Sequence, residues 1–160
     1  MKDRAVIPGD VAMLSLAAAT LVWSVTRACL QSVTMDEAMT YRALVAPVSP
    51  NYWTPHSNNH LLNSILIRLT TTIFGPSQLS LRLPALTGAC LYIGSCLYLC
   101  RVAIVRAPLQ FAVFACLLLN PFVADLYVAA RGYSFALGFL MCAVALAAHA
   151  RFRNGDPLKI

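Results

Sequence analysis

Charge is what this chain has least of. Only 11% of its 160 residues are Asp, Glu, Lys or Arg, and 59% are hydrophobic. Ordinary soluble domains carry about 25% charged and about 45–50% apolar residues. The apolar residues come in blocks and the mean hydropathy is +0.70. Such blocks need lipid or a large partner to cover them, so the composition is that of a membrane protein rather than a soluble domain. Acids are the scarcer sign: six against twelve Lys and Arg, a net charge of +6. The basic residues are dispersed at the ends of apolar segments and form no patch interleaved with aromatics. That pattern excludes a nucleic-acid surface and matches the loop charges of a membrane topology. No Cys-x-x-Cys pair exists among Cys29, Cys90, Cys96, Cys100, Cys116 and Cys142. Five of these lie in apolar runs and Cys29 ends one. They read as small hydrophobes used for packing and say nothing about redox compartment. Internal repeats and low-complexity tracts are also lacking.

What is present is a set of apolar runs long enough to span a bilayer, which takes about 20 residues and tolerates about 17. Four candidates run roughly Val11 to Leu30, Leu83 to Leu99, Pro108 to Val123 and Tyr133 to His149. Pro84 is tolerable in the first turn of the second. The basic N-terminus followed by an apolar run resembles a signal peptide. No small-residue cleavage site follows, and Arg27 spoils the lipobox-like context of Cys29, so the run reads as a retained first helix. Lys2, Arg4, Arg101, Arg106, Arg151, Arg153 and Lys159 fall on one face of a four-span topology, the expected cytoplasmic face. The fold class expected is therefore an all-α polytopic membrane protein. It forms a single transmembrane domain over residues 1–160, with its N-terminus in the cytoplasm.

Between the first two spans lies an external loop over residues 31–81, long for a simple connection at about 50 residues. Its "TMDE" has the Ser/Thr-x-x-Glu form of a capping box, with Thr34 as N-cap and Glu37 reaching back. Further on, Leu62, Ile65, Leu66, Leu69 and Ile73 recur at helical spacing. That segment is too short and too polar to span, and predicts an amphipathic helix in the membrane interface, ended by Gly75-Pro76.

Several residues carry possible chemistry. Asp36 and Glu37 are both favoured in a first helical turn by the dipole, and the capping box accounts for Glu37. Asp36 at a membrane surface also fits a general base. His56 and His60, four apart, would need a helix and a third ligand to hold a metal. Capping by Asn58 or Asn59 is the simpler reading, with a substrate contact by Asn59 or His60 between the two. Arg131, followed by Gly132 and Tyr133, either snorkels to headgroups or presents a guanidinium fork to a phosphate. Arg82 has the same two readings. His149, beside Arg151, reads as interfacial.

The order "DEAMTY", "NNHLLNSILIRL", "FG", "LRLPAL", "NPF" and "ARGYSFALGFL" resembles the N-terminal part of bacterial integral-membrane glycosyltransferases of the GT-C type. The likeness is to the protein O-mannosyltransferase-like group, which includes aminoarabinose transferases. It covers roughly Val11 to Ala150. The resemblance implies transfer of a sugar from a polyprenyl-phosphate-linked donor, with inversion, on the external face of the bacterial inner membrane. The acid of the first external loop matches Asp36, which in the family acts as base or positions the acceptor. The leaving lipid phosphate needs preorganised donors, for which Arg131, Tyr133 and His60 are candidates, with Glu37 and Asn59 lining the same site. No cofactor or metal is expected, and a divalent cation is not indicated.

Two departures stand out. Aminoarabinose-transferase-like relatives carry a lysine in the stretch matching "SNNHLL", where this chain has Asn59 and His60. Family members are also several times longer, so the chain corresponds to the front of a larger module, with a further C-terminal portion or a partner subunit completing it. The alternatives are a small non-catalytic four-helix membrane protein or accessory subunit, and, last, a transporter fragment, which would need broken helices or internal charges at mid-membrane depth.

Overall fold

The first apolar run folds as helix α1, Pro8–Leu30, with Asp10 in its first turn and Arg27 in its last, the signs that complement the helix dipole. The computed structural model describes residues 8–45 and 60–153. Within them follow α2 (Met35–Thr40), a π-helical turn (Tyr41–Val45), α3 (Leu61–Phe74), α4 (Gln78–Ala103), α5 (Ala107–Leu118), α6 (Pro121–Leu126) and α7 (Tyr133–Arg153). The described residues contain no strand. Asn59, His56, Asn58, Lys2, Arg4 and Lys159 lie outside them.

Among the described residues three helices are long and apolar enough to cross a membrane, in α1, α4 and α7. At 1.5 Å per residue they measure about 30–40 Å, the thickness of a bilayer core or more. An all-helical, multi-pass membrane protein is compatible with this architecture.

The expected third span, Pro108 to Val123, is not one helix. α5 stops at Leu118, about 18 Å after it starts. The cause is local. Pro121 has no N–H to offer the carbonyl of Leu117 four residues back. The next N–H, of Phe122, donates instead to the side chain of Asn120 at 3.0 Å, which caps α6. Two carbonyls are thereby orphaned, and tertiary neighbours satisfy both. The Tyr92 hydroxyl donates to Leu117 O and the Tyr127 hydroxyl to Leu118 O, each at 3.2 Å.

A second proline is handled the same way. α4 begins at Gln78, five residues before the expected start, so Pro84 lies inside the helix rather than in its first turn. It cannot donate to Ser80 O. The Thr70 hydroxyl of α3 lies 2.7 Å from that carbonyl and takes the role. Ser77 and Ser80 cap α4 reciprocally.

α4 is the centre of the bundle. Against it α7 packs at backbone distance: a Cβ on Gly88 would lie 2.7 Å from Phe135 N, and one on Gly138 would lie 2.8 Å from Gly88 O. Small residues make such close helix pairs possible where dispersion must hold helices together. On the other side α1 offers a stripe of Met13, Ala17, Thr20, Ser24 and Ala28, all buried. Thr20 and Ser24 return their hydroxyls to carbonyls one turn back. Cys96 and Cys100 are core residues, as expected of packing cysteines. Cys29, Cys90 and Cys116 are exposed, however, and Cys142 is intermediate, so packing describes only part of the set.

α3 is turned inside out. Of its apolar stripe, Leu62, Ile65, Leu69 and Ile73 are exposed and Leu66 is half-buried, while Asn63, Ser64 and Thr71 are buried against the bundle beside a single apolar residue, Ile67.

Candidate functional site

The capping box anticipated at the start of α2 is present. Glu37 N–H donates to Thr34 Oγ1 at 3.3 Å and Thr34 N–H donates to Glu37 Oε2 at 2.9 Å. Glu37 also does something its neighbours in sequence give no hint of. It is buried and accepts from Arg82 through both oxygens, Nε to Oε1 at 3.0 Å and Nη2 to Oε2 at 2.7 Å. Ala130 N–H donates to Oε1 at 3.2 Å. Arg82, 1% exposed, sends its remaining N–H groups to the carbonyls of Ala28, Gln31 and Ser32. One guanidinium thus ties the end of α1, the start of α2 and α4 together, and the shared carboxylate adds the turn before α7. A planar fork with five donors suits this task, which a lysine cannot perform. Burial alone would raise the Glu37 pKa. The hydrogen bonds from Arg82, Thr34 and Ala130 outweigh it and hold the carboxylate below its ordinary 4.5.

This pair is the floor of a pocket of about 330 Å³ at that end of the bundle. Two further ion pairs rim it. Arg131 donates through Nη1 to Asp36 Oδ2 at 2.8 Å, and Arg27 through Nη1 to Asp125 Oδ1 at 3.0 Å. Both aspartates are exposed, at 58% and 72%, whereas the arginines are only about a quarter exposed. The rim is therefore accessible and the floor is not. Screened pairs of this kind are worth about 0–1 kcal/mol and exchange partners readily.

Arg131 is aimed by the turn that follows α6. Gly132 there has φ +78, a left-handed conformation natural to glycine. A Cβ at Gly132 would also come within 3.0 Å of His60 Cβ and 3.2 Å of Asn63 Cβ. Asn63 in turn donates to Ala130 O at 3.0 Å, fixing the turn from the side of α3.

The residues singled out from sequence separate accordingly. Asp36, Glu37 and Arg131 line one pocket. Glu37 is engaged on the floor, with no oxygen left over for a substrate contact of the kind expected of it. His60 and Tyr133 lie edge to face at 5.0 Å, and Arg131 sits 5.8 Å from the Tyr133 ring, but neither ring lines the pocket. Asn59 lies outside the described residues. Arg82, read from sequence as a headgroup or phosphate ligand, is instead the buried anchor. Arg27 and Asp125 were not singled out. They are 98 residues apart, and only their common position at span ends hinted at the pairing. Among the described residues no group of three His, Cys, Asp or Glu could hold a metal ion.

Comparisons with protein-family models, with curated proteins and with solved structures found no match to this chain.

Proposed function

We propose that the chain is the N-terminal membrane module of an inverting glycosyltransferase that uses a polyprenyl-phosphate-linked sugar. One observation carries the reading. Asp36, an exposed carboxylate, is held 2.8 Å from Arg131 at the rim of a pocket whose floor is immobilised by the Glu37–Arg82 pair. An acid beside a cation at the end of a membrane bundle has the two charges this transfer needs. The acceptor hydroxyl attacks the anomeric carbon, its proton passes to Asp36, and the bond from that carbon to the phosphate oxygen breaks. The lipid phosphate leaves with the electron pair, and Arg131 stabilises its negative charge. Inversion follows from a single displacement.

In this reading the chain sits in the bacterial inner membrane with its N-terminus cytoplasmic, and the pocket opens on the external face. α3 lies in the interface with its exposed apolar stripe in lipid, which explains why its polar side faces the protein. α5 and α6 together take the place of a further span.

The test is sugar transfer by the full native gene product in vesicles, with and without Asp36→Asn. A general base contributes about 10²–10⁴-fold, and a loss of that size with donor binding retained is expected. Transfer at the wild-type rate would remove Asp36 from the mechanism and favour a non-catalytic membrane subunit.

A further inference from the structure

A second cavity, of about 540 Å³, adjoins the polar pocket and shares Arg27 and Asp125 with it. Its walls are Leu16, Ala19 and Trp23 of α1 on one side, and Leu119, Pro121 and Ala124 on the other. It lies between α1 and the break that separates α5 from α6. The volume is within the range of small-molecule sites, about 300–1,000 Å³. Below its polar end the slot is apolar except for Thr20, whose hydroxyl is returned to Leu16 O, so it offers water few partners and suits a hydrocarbon chain. Its upper end is polar in one specific way. The Arg27 guanidinium lies 4.7 Å over the Trp23 ring, 25% exposed, with Asp125 Oδ1 3.0 Å from Nη1. Trp and Arg together at a span end are the usual neighbours of lipid headgroups.

We propose that this groove is a binding site for an anionic phospholipid of the surrounding bilayer, with one chain between α1 and the α5–α6 break and its phosphate on Arg27. The slot supplies apolar contact, and the guanidinium supplies the charge an anionic head requires. Arg27 Nε donates to Gln31 Oε1 at 3.3 Å, and at Nη1 Asp125 is the competitor. It is 72% exposed and holds Arg27 by one oxygen, an exposed pair of little worth, so a phosphate displaces it. A lipid seated there walls one side of the pocket that contains Asp36. The site does not depend on the transferase reading, and sugar transfer plays no part in its test.

The chain has two tryptophans, so Trp53→Phe leaves Trp23 as the only reporter in the groove. The protein is reconstituted in vesicles, and quenching is read as phosphatidic acid or phosphatidylcholine brominated in mid-chain is added at low mole fraction. Saturable quenching that favours phosphatidic acid is expected. Arg27→Gln weakens it about fivefold, the worth of one basic residue at an anionic lipid surface, and Arg27→Lys restores most of it. Ala19→Leu, which fills the slot, abolishes the saturable part. Asp125→Asn has the opposite sign and tightens binding. Equal quenching by the two lipids, loss of affinity in Asp125→Asn as in Arg27→Gln, or displacement by free inorganic phosphate would each overturn the proposal.

Discussion

Arg82→Met is the most demanding perturbation of this fold. The variant keeps an unbranched apolar stem, shorter than that of arginine, and loses the guanidinium. Glu37 then stays buried with only the N–H groups of Thr34 and Ala130, and the carbonyls of Ala28, Gln31 and Ser32 lose a donor. Removing one member of a buried ion pair costs about 3–5 kcal/mol, because the other charge is stranded. For a soluble domain of this size, each kcal/mol moves the midpoint by about 2–4 °C, so the expected drop is about 6–20 °C. Thermal unfolding in detergent, followed by thiol labelling of the core residues Cys96 and Cys100, measures it. Glu37→Gln should fall in the same class, since it strands the Arg82 charge instead. The double variant must cost less than the sum of the two, because the second change removes a charge the first had already stranded. A midpoint within 2 °C of wild type for Arg82→Met, or strict additivity in the double variant, would refute the claim that this pair anchors the site.

Two further outcomes follow from the same structure. The Glu37 carboxylate titrates below its ordinary 4.5 in the folded chain, so it binds fewer protons folded than unfolded. Its stabilisation is complete above that ordinary value and is lost as the pH falls through the folded one. The melting midpoint should drop on acidification below about pH 4.5, and Glu37→Gln should flatten that limb. Gly88 and Gly94 lie on the same helix and should respond in opposite directions. A Cβ at Gly88 meets the backbone of Ser134 and Phe135 at 2.7 Å, whereas one at Gly94 meets nothing within 4 Å. Gly88→Ala should therefore destabilise, by about 1–3 kcal/mol as α4 and α7 are forced apart, and Gly94→Ala should stabilise by about 0.5–1 kcal/mol. Thermal midpoints of the two variants check the contrast.

Features governed by short-range chemistry were legible in the sequence. The helices long and apolar enough to cross a membrane follow from run length and scarce charge. The box at Thr34 and Glu37 needs only residues three apart, and the α3 stripe needs only helical spacing. What was not legible depends on which distant group arrives. Pro121 and Pro84 each remove one hydrogen bond, but whether the helix breaks or continues is decided with the neighbours that replace it: Tyr92 and Tyr127 at the broken end of α5, and Thr70 beside an α4 that runs on. Spacing marks two faces on α3 but not which one turns inward, and the exposed apolar face is a property of the packed bundle. The charges divide in the same way. Asp36 and Glu37 are adjacent and chemically alike, yet one is exposed on Arg131, 95 residues away, and the other buried on Arg82, 45 residues away. A carboxylate's role is set by its desolvation and its partner, and both come into being only when the helices meet.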